Sequence, residues 1–318
     1  MQVFIQPGNS GNVLATVAIG AAYLEEWTRS AFPGWSEYCH RHDLGLIVFD
    51  QEMLDKENVA WKKATWQKLL MAEALRAAGL KLNNVCYLDT DILISPFAPN
   101  VFEAYDPETI AVVSQTNGLP QPLQLTLRRL AFLRHTHWDE RYPLDSALFM
   151  TPRQIFEFHG LPAHDNYFCA GFFVFNVDNH RALMKSWFDK YESGIQTITG
   201  GGDEPHLNYE FQSWGRLSWL PYEFQALWTY EAAWRYPFLF DFGKYDHHLI
   251  RACIESSLYA NHFLHFAGSW HECQMWKIGG FFEEQRKRQE INAYRAYLST
   301  PVTGRPRGMI RPDPAITV

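Results

Sequence analysis

The chain has 318 residues, with 28 Lys and Arg against 35 Asp and Glu and a formal net charge of −7; this balance argues against nonspecific nucleic-acid binding, which needs a basic footprint to displace counterions. Its length fits one large α/β domain or two small ones with a full core, and no apolar run reaches the length of a membrane-spanning helix. The five cysteines (Cys39, Cys86, Cys169, Cys253, Cys273) are odd in number, widely spaced and form no Cys-x-x-Cys, which argues against a disulfide framework or a zinc site and, with no signal-like opening, points to a soluble protein of the cytoplasm.

Residues 13–19, apolar and β-branched, read as a first strand, and 21–31 as a helix stopped by Pro33-Gly34. A short strand follows at 44–49, ending at Asp50. Residues 61–78 carry apolar positions at helical spacing (Trp66, Leu69, Leu70, Ala74, Leu75), with Gly79 as the C-cap. This helix feeds an apolar run at 85–94 that contains two carboxylates, Asp89 and Asp91. Further strands are expected at 110–114 and 171–177. Between them, residues 115–164 read as a helical insertion, with helices near 125–135 and 153–158. Strands alternating with helices predict an α/β sheet with ligands beyond the carboxyl ends of the strands. A single domain is expected over 1–298, followed by an extended or disordered Pro- and Arg-containing tail at 299–318. The Gly200-Gly201-Gly202 run lacks the Lys-Ser/Thr of a phosphate loop.

The carboxylates constrain function most. A strand does not bury two charges for packing, so Asp89 and Asp91 are expected at the strand's end, where hard oxygen ligands suit Mg²⁺ or Mn²⁺. A pair of solvated turn acids is the plainer reading of Asp-Thr-Asp, and the apolar residues on both sides weigh against it. Asp203-Glu204-Pro205-His206-Leu207-Asn208 places two adjacent acids at a helix start, where Asp203 can cap and Asn208 can turn back toward a cleft. In residues 261–270, His262 and His265 would point to opposite faces of a strand, and His265, before a glycine turn, is the better metal ligand. Cys169-Ala170-Gly171 makes a small-residue approach to a buried strand ending at Asn176. Aromatic residues crowd the stretch Trp214, Trp219, Tyr222, Phe224, Trp228, Tyr230, Trp234 and Tyr236. Such rings suit sugar faces, and equally a Trp-rich core.

In this order the motifs resemble those of nucleotide-sugar glycosyltransferases of the GT-A fold, closest to family 8, the family of glycogenin and the lipopolysaccharide galactosyltransferases. The resemblance spans residues 13–275. Tyr87-Leu88-Asp89-Thr90-Asp91 is similar to that family's metal-binding DXD motif, Cys169-Ala170-Gly171 to its Asn-Ala-Gly turn, and His265-Phe266-Ala267-Gly268 to the turn that supplies a third metal ligand. Asp203-Glu204 stands where the family has Asp-Gln, and the segment resembles family 6, whose Glu is a proposed nucleophile.

The resemblance implies a hexosyltransferase that uses a UDP-sugar with Mn²⁺ or Mg²⁺ held by Asp89, Asp91 and His265, and retains anomeric configuration. It further implies catalytic roles for Glu204 and Asp203, and donor contacts from Ala18, Gly20, Tyr23, Asp50, Lys68, Asp89, Thr90, Gly268 and His271. The Lys-Pro-Trp that follows the His turn in the family is missing; His271 falls at that spacing. The acceptor could be a glycan, a lipid-linked sugar, a protein or a small molecule. A sugar-1-phosphate nucleotidyltransferase and a non-catalytic carbohydrate-binding protein on the same fold are the alternatives. The basic residues of 286–295 read as a solvated helix face, with peripheral contact to an anionic membrane as the second reading.

Overall fold

The computed structural model describes residues 1–103, 105–138, 149–195, 202–241, 245–268 and 270–299. Two compact units are present, Met1–Gly279 and Gly280–Val318. Apolar runs that are buried on both faces build the middle of the central sheet of the first unit, with partly exposed strands at its two edges. Its strands are β1 (Gln2–Ile5), β2 (Val13–Val17), β3 (Gly45–Phe49), β4 (Asn84–Leu88), β6 (Ile110–Val113), β7 (Phe172–Asn176) and β8 (Leu217–Leu220). They lie in the order β1-β3-β2-β4-β7-β6-β8. Pairings of β2 with β3 and β4 are parallel, whereas β7 runs antiparallel to both β4 and β6. The result is a mixed sheet flanked by helices. A smaller three-stranded sheet orders β5 (Ile92–Ile94), β10 (Phe263–His265) and β9 (Ala226–Leu227) as β5-β10-β9.

One face of the large sheet is covered by the helices Met71–Ala77, Val177–Lys190 and Glu204–Trp214, which add Leu75, Met184, Trp187, Leu207 and Phe211 to the core around Val85, Phe173 and Phe175. Trp27 and Trp35, on the helices Ala21–Ser30 and Phe32–His42, are fully buried, and the Trp35 indole N–H donates to Ile92 O at 2.7 Å.

Several local expectations are corrected by the structure. Pro33-Gly34 opens a second helix instead of stopping the first: Pro33 lies in the first turn of Phe32–His42, where its missing N–H costs nothing. The helix expected at 61–78 begins at Ala64 and tightens into a 3₁₀ turn at Lys68–Leu70 before continuing as Met71–Ala77. The run 85–94 divides at its acids, where a strand end was expected. β4 stops at Leu88, the two acids form a turn, and β5 enters the other sheet. In the 115–164 region, the helices Leu123–Trp138 and Pro152–Phe158 are present where helices were expected.

The second unit contains the helix Gln285–Ser299, on which Arg286 and Lys287 pair with Glu290 and Glu284. Of the tail expected at 299–318, Ser299 ends this helix, and residues 300–318, like the glycines Gly200 and Gly201, lie outside the described residues. Among the described residues no helix is long and apolar enough to cross a membrane.

Candidate functional site

The carboxylate turn sits at the carboxyl end of β4, as the buried run required. Ile92 N–H donates to Asp89 O at 3.2 Å and closes the turn through Thr90. β10 then pairs antiparallel with β5, setting His265 opposite Ile92, and Phe266 N–H donates to Asp91 O at 3.0 Å. This pairing is what delivers His265 to the acids, across more than 170 residues of chain. One ligand atom from each of Asp89, Asp91 and His265 lies within 4.8 Å of the others. His265 Nε2 is 3.2 Å from Asp91 Oδ1 and 3.8 Å from Asp89 Oδ2. The imidazole is a buried wall, 1% exposed, while the Asp89 and Asp91 side chains are 37% and 23% exposed. The site therefore opens on the carboxylate side.

Asp91 Oδ1 and His265 Nε2 are buried atoms that face each other without a hydrogen bond of ordinary geometry. Two carboxylates and one imidazole form a donor set suited to Mn²⁺ or Mg²⁺, and a cation there would satisfy both atoms. Burial works to lower the His265 pKa, but Asp91 and Asp89 outweigh it and hold the ring above its ordinary value. Asp91 is pushed up by burial, with His265 opposing.

The surroundings hold these three side chains in place. The Tyr87 hydroxyl donates to Asp89 Oδ1, and Asp89 N–H donates to Gly171 O at 2.8 Å. A Cβ at Gly171 would clash with both His265 Cε1 and Asp89 Oδ2. The close approach expected at Cys169-Ala170-Gly171 is thus real, and it is the ligating side chains themselves that come near. Gln225 Nε2 lies 3.1 Å from His265 Nδ1 and donates to Cys169 O at 3.1 Å, and Cys169 Sγ sits 3.6 Å from the same ring nitrogen. With Nδ1 occupied in this way, Nε2 is the nitrogen aimed at the carboxylates.

The two adjacent acids take different partners. Asp203 occupies the N-cap position of Glu204–Trp214 but makes no side-chain cap bond. Instead its Oδ2 pairs with Lys68 Nζ at 2.9 Å, and Lys68, 2% exposed, also donates to Ala170 O at 2.7 Å. Burial lowers the Lys68 pKa, but Asp203 and Asp89 more than reverse that. Asp203 is raised by burial despite Lys68.

Glu204 Oε2 accepts from Ala170 N–H at 3.1 Å, and burial raises its pKa. Its carboxyl lines a cavity of about 290 Å³ together with Tyr167, Cys169, Tyr230, Gly268 and Trp270. Asn208 does not turn into a cleft. Fully buried, it clamps Phe168, accepting from its N–H at 2.8 Å and donating to its O at 2.7 Å.

The remaining expected residues spread around the same sheet edge and beyond it. Ala18 follows β2 and donates its N–H to Phe49 O at 2.8 Å; Gly20, with φ 102°, starts the helix Ala21–Ser30, on which Tyr23 is 64% exposed. Asp50 follows β3, accepts from Gln2 Nε2 at 2.6 Å and pairs with the Met1 amine, which lowers its pKa. Because β2, β3 and β4 are parallel, these residues and Asp89 share one edge. Gly268 adopts φ 93°, and His271 packs its ring against Tyr245. Lys277 is committed to Glu26 at 2.8 Å. His262 packs against Phe224, and burial lowers its pKa. The aromatic segment divides: Trp228 is fully buried, whereas Tyr230 and Trp234 line cavities.

Sequence reasoning missed Gln225 and Tyr87. Tyr87 could have been found, because residues i and i+2 of a strand share a face and Tyr87 precedes Asp89 by two. Gln225 carries no local signal; only β9 pairing beside β10 brings it to the ring.

No family model and no curated protein matches the sequence. Among solved structures, the chain is similar to a glycosyltransferase involved in the glycosylation of the major capsid of PBCV-1, at 9% identity and a TM-score of 0.48, over 84% of this chain and 97% of that one. It is also similar to the bifunctional glycosyltransferase WbbM in its apo form, at 13% identity and a TM-score of 0.41, over 88% of this chain and 52% of that one.

Proposed function

We propose that the protein is a metal-dependent glycosyltransferase of the GT-A fold that moves a hexose or N-acetylhexosamine from a UDP-sugar to an acceptor hydroxyl, with retention of anomeric configuration. The observation that carries this reading is the convergence of Asp89, Asp91 and His265 at the carboxyl end of β4, with their ligand atoms within 4.8 Å, beside a cavity that Glu204 lines. Mn²⁺ or Mg²⁺ held by these three residues would neutralise charge on the departing diphosphate.

The chain's own groups supply the rest. Breaking the sugar–phosphate bond builds positive charge at the anomeric carbon, and the Glu204 carboxyl, anchored on Ala170 N–H, is the group placed to stabilise it. Asp203, tied to Lys68, positions Glu204 and the 169–171 segment. Ala18, Gly20, Tyr23 and Asp50 would hold the uridine at the edge they share with Asp89. Thr90, Gly268 and His271 would meet the diphosphate, with the Lys68 ammonium, paired with Asp203, standing behind Asp89.

Calorimetric titration of UDP with and without Mn²⁺, against the protein and an Asp91→Ala variant, tests the proposal. Uridine nucleotide binding that requires the metal and weakens about a hundredfold in the variant, roughly 3 kcal/mol, is the expected result. Binding that ignores both metal and Asp91 would sink it.

A further inference from the structure

A second cavity, of about 300 Å³, lies away from the carboxylates and is lined by Gln121, Tyr222, Tyr230, Glu231, Trp234 and Arg235 among others. Tyr230 belongs to its wall and to that of the Glu204 cavity, so the two spaces meet at one ring. The Trp234 indole is fixed before any ligand arrives. Its Nε1–H donates to Thr126 Oγ1 at 3.0 Å, and the Arg129 guanidinium, itself bonded to Ala233 O, stands 4.9 Å from its centroid. Glu231, 4% exposed, pairs with Arg235 Nε at 2.8 Å. The charges at this wall cancel.

The Tyr222 hydroxyl is buried between the Glu231 carboxyl and the Leu227 backbone, which both engage it.

Rigid aromatic faces and a balanced ion pair suit a neutral pyranose, which offers C–H faces for stacking and hydroxyls for hydrogen bonds. With Glu231 matched by Arg235, this pair offers no net charge to recruit an anionic sugar. The volume, at the small end for ligand pockets, holds a sugar ring and not a chain. We propose that this cavity is a subsite for a neutral pyranose of an oligosaccharide acceptor, whose reacting end lies in the Glu204 cavity and whose chain passes Tyr230. The proposal rests on the glycosyl-transfer reading and narrows it: the acceptor is a glycan chain rather than a single small molecule.

Saturation-transfer NMR on the full chain, with maltotriose, cellotriose and lactose as probes against methyl glucoside and methyl galactoside, tests it. At least one oligosaccharide should bind about tenfold more tightly than its own monosaccharide unit. Trp234→Ala should abolish that preference while UDP–Mn²⁺ titration is unchanged. Gln121→Ala, at an exposed lining position, removes a polar group and leaves the rings in place; it should weaken oligosaccharide binding about fivefold and holds the test should Trp234→Ala fail to fold. Oligosaccharides that bind no better than their units, or a preference that both variants leave intact, would overturn the subsite. Metal-dependent UDP binding without any oligosaccharide preference removes this inference alone. A Trp234-dependent preference with no uridine nucleotide binding keeps the saccharide subsite and removes the transfer reading.

Discussion

Near the carboxyl end of β4, Tyr87 lies opposite Phe173 of β7, and Phe173 packs against Phe175 and Phe211 in the sheet's core. Two residues further along the chain, just past the end of β4, stands Asp89, beside Asp91, His265 and a glycine with no room for a methyl group. The first region is held by apolar contact and tolerates no loss of volume. The second holds charges at the cost of desolvation, stabilised by a few hydrogen bonds and one buried ion pair. Tyr87 belongs to both, with its ring in the core and its hydroxyl on Asp89. A folded core therefore sets the site's geometry, while the site gives little stability in return.

Variants that separate the two regions test this contrast. Lys68→Met should be the most destabilising, by about 4 kcal/mol, because it leaves Asp203 buried without its ion-pair partner; urea unfolding measures it, and combining it with Asp203→Asn should recover most of the loss. A smaller loss on the double variant than on the single one marks the ion pair as the cause. Phe173→Ala empties a fully buried position and should cost about 3 kcal/mol of stability, with UDP–Mn²⁺ affinity per folded molecule kept. If affinity collapses alongside stability, core and site are not separable. Gly171→Ala should do the reverse, weakening metal-dependent nucleotide binding about tenfold, roughly 1.4 kcal/mol, as Asp89 and His265 are pushed apart.

The smallest effect is set by pH. His206, buried among Trp66, Tyr191 and His159, has its pKa lowered to about 4 by burial and by His159. Against an unfolded value of about 6.5, the unfolded chain binds more protons between those values, so this group's contribution is full above about 6.5 and is lost as pH falls toward 4. Unfolding curves at pH 4.5 and 7 should differ less for His206→Gln than for the parent chain; an equal difference would show that His206 does not titrate in this window.

Much of the frame is legible in the residues. Apolar runs at β2, β3, β4, β6 and β7 announce buried strands because only a sheet covered on both faces needs them, and Asp89 and Asp91 announce a strand end because burial of unpaired charge is too costly. Pro33 misled because proline forbids the interior of a helix but suits its first turn, and the choice between the two depends on what packs behind it. Within 85–94 the acids mark the strand end, but the apolar residues after them give no sign that Ile92–Ile94 joins a second sheet.

By itself the sequence determined the chemistry at hand: two acids at a strand end, a histidine before a glycine turn, a pair of adjacent acids at a helix start, and aromatic rings in excess. These follow from residue type and near-neighbour spacing, which the covalent chain fixes directly. Only the tertiary structure decided which of them meet. The β5–β10 pairing carries His265 to Asp91, the 3₁₀ turn at Lys68 sends its ammonium to Asp203, and β9 lays Gln225 against the imidazole. Those contacts join residues far apart along the chain, and they are selected by the packing of whole sheets, a quantity that no local stretch of sequence contains.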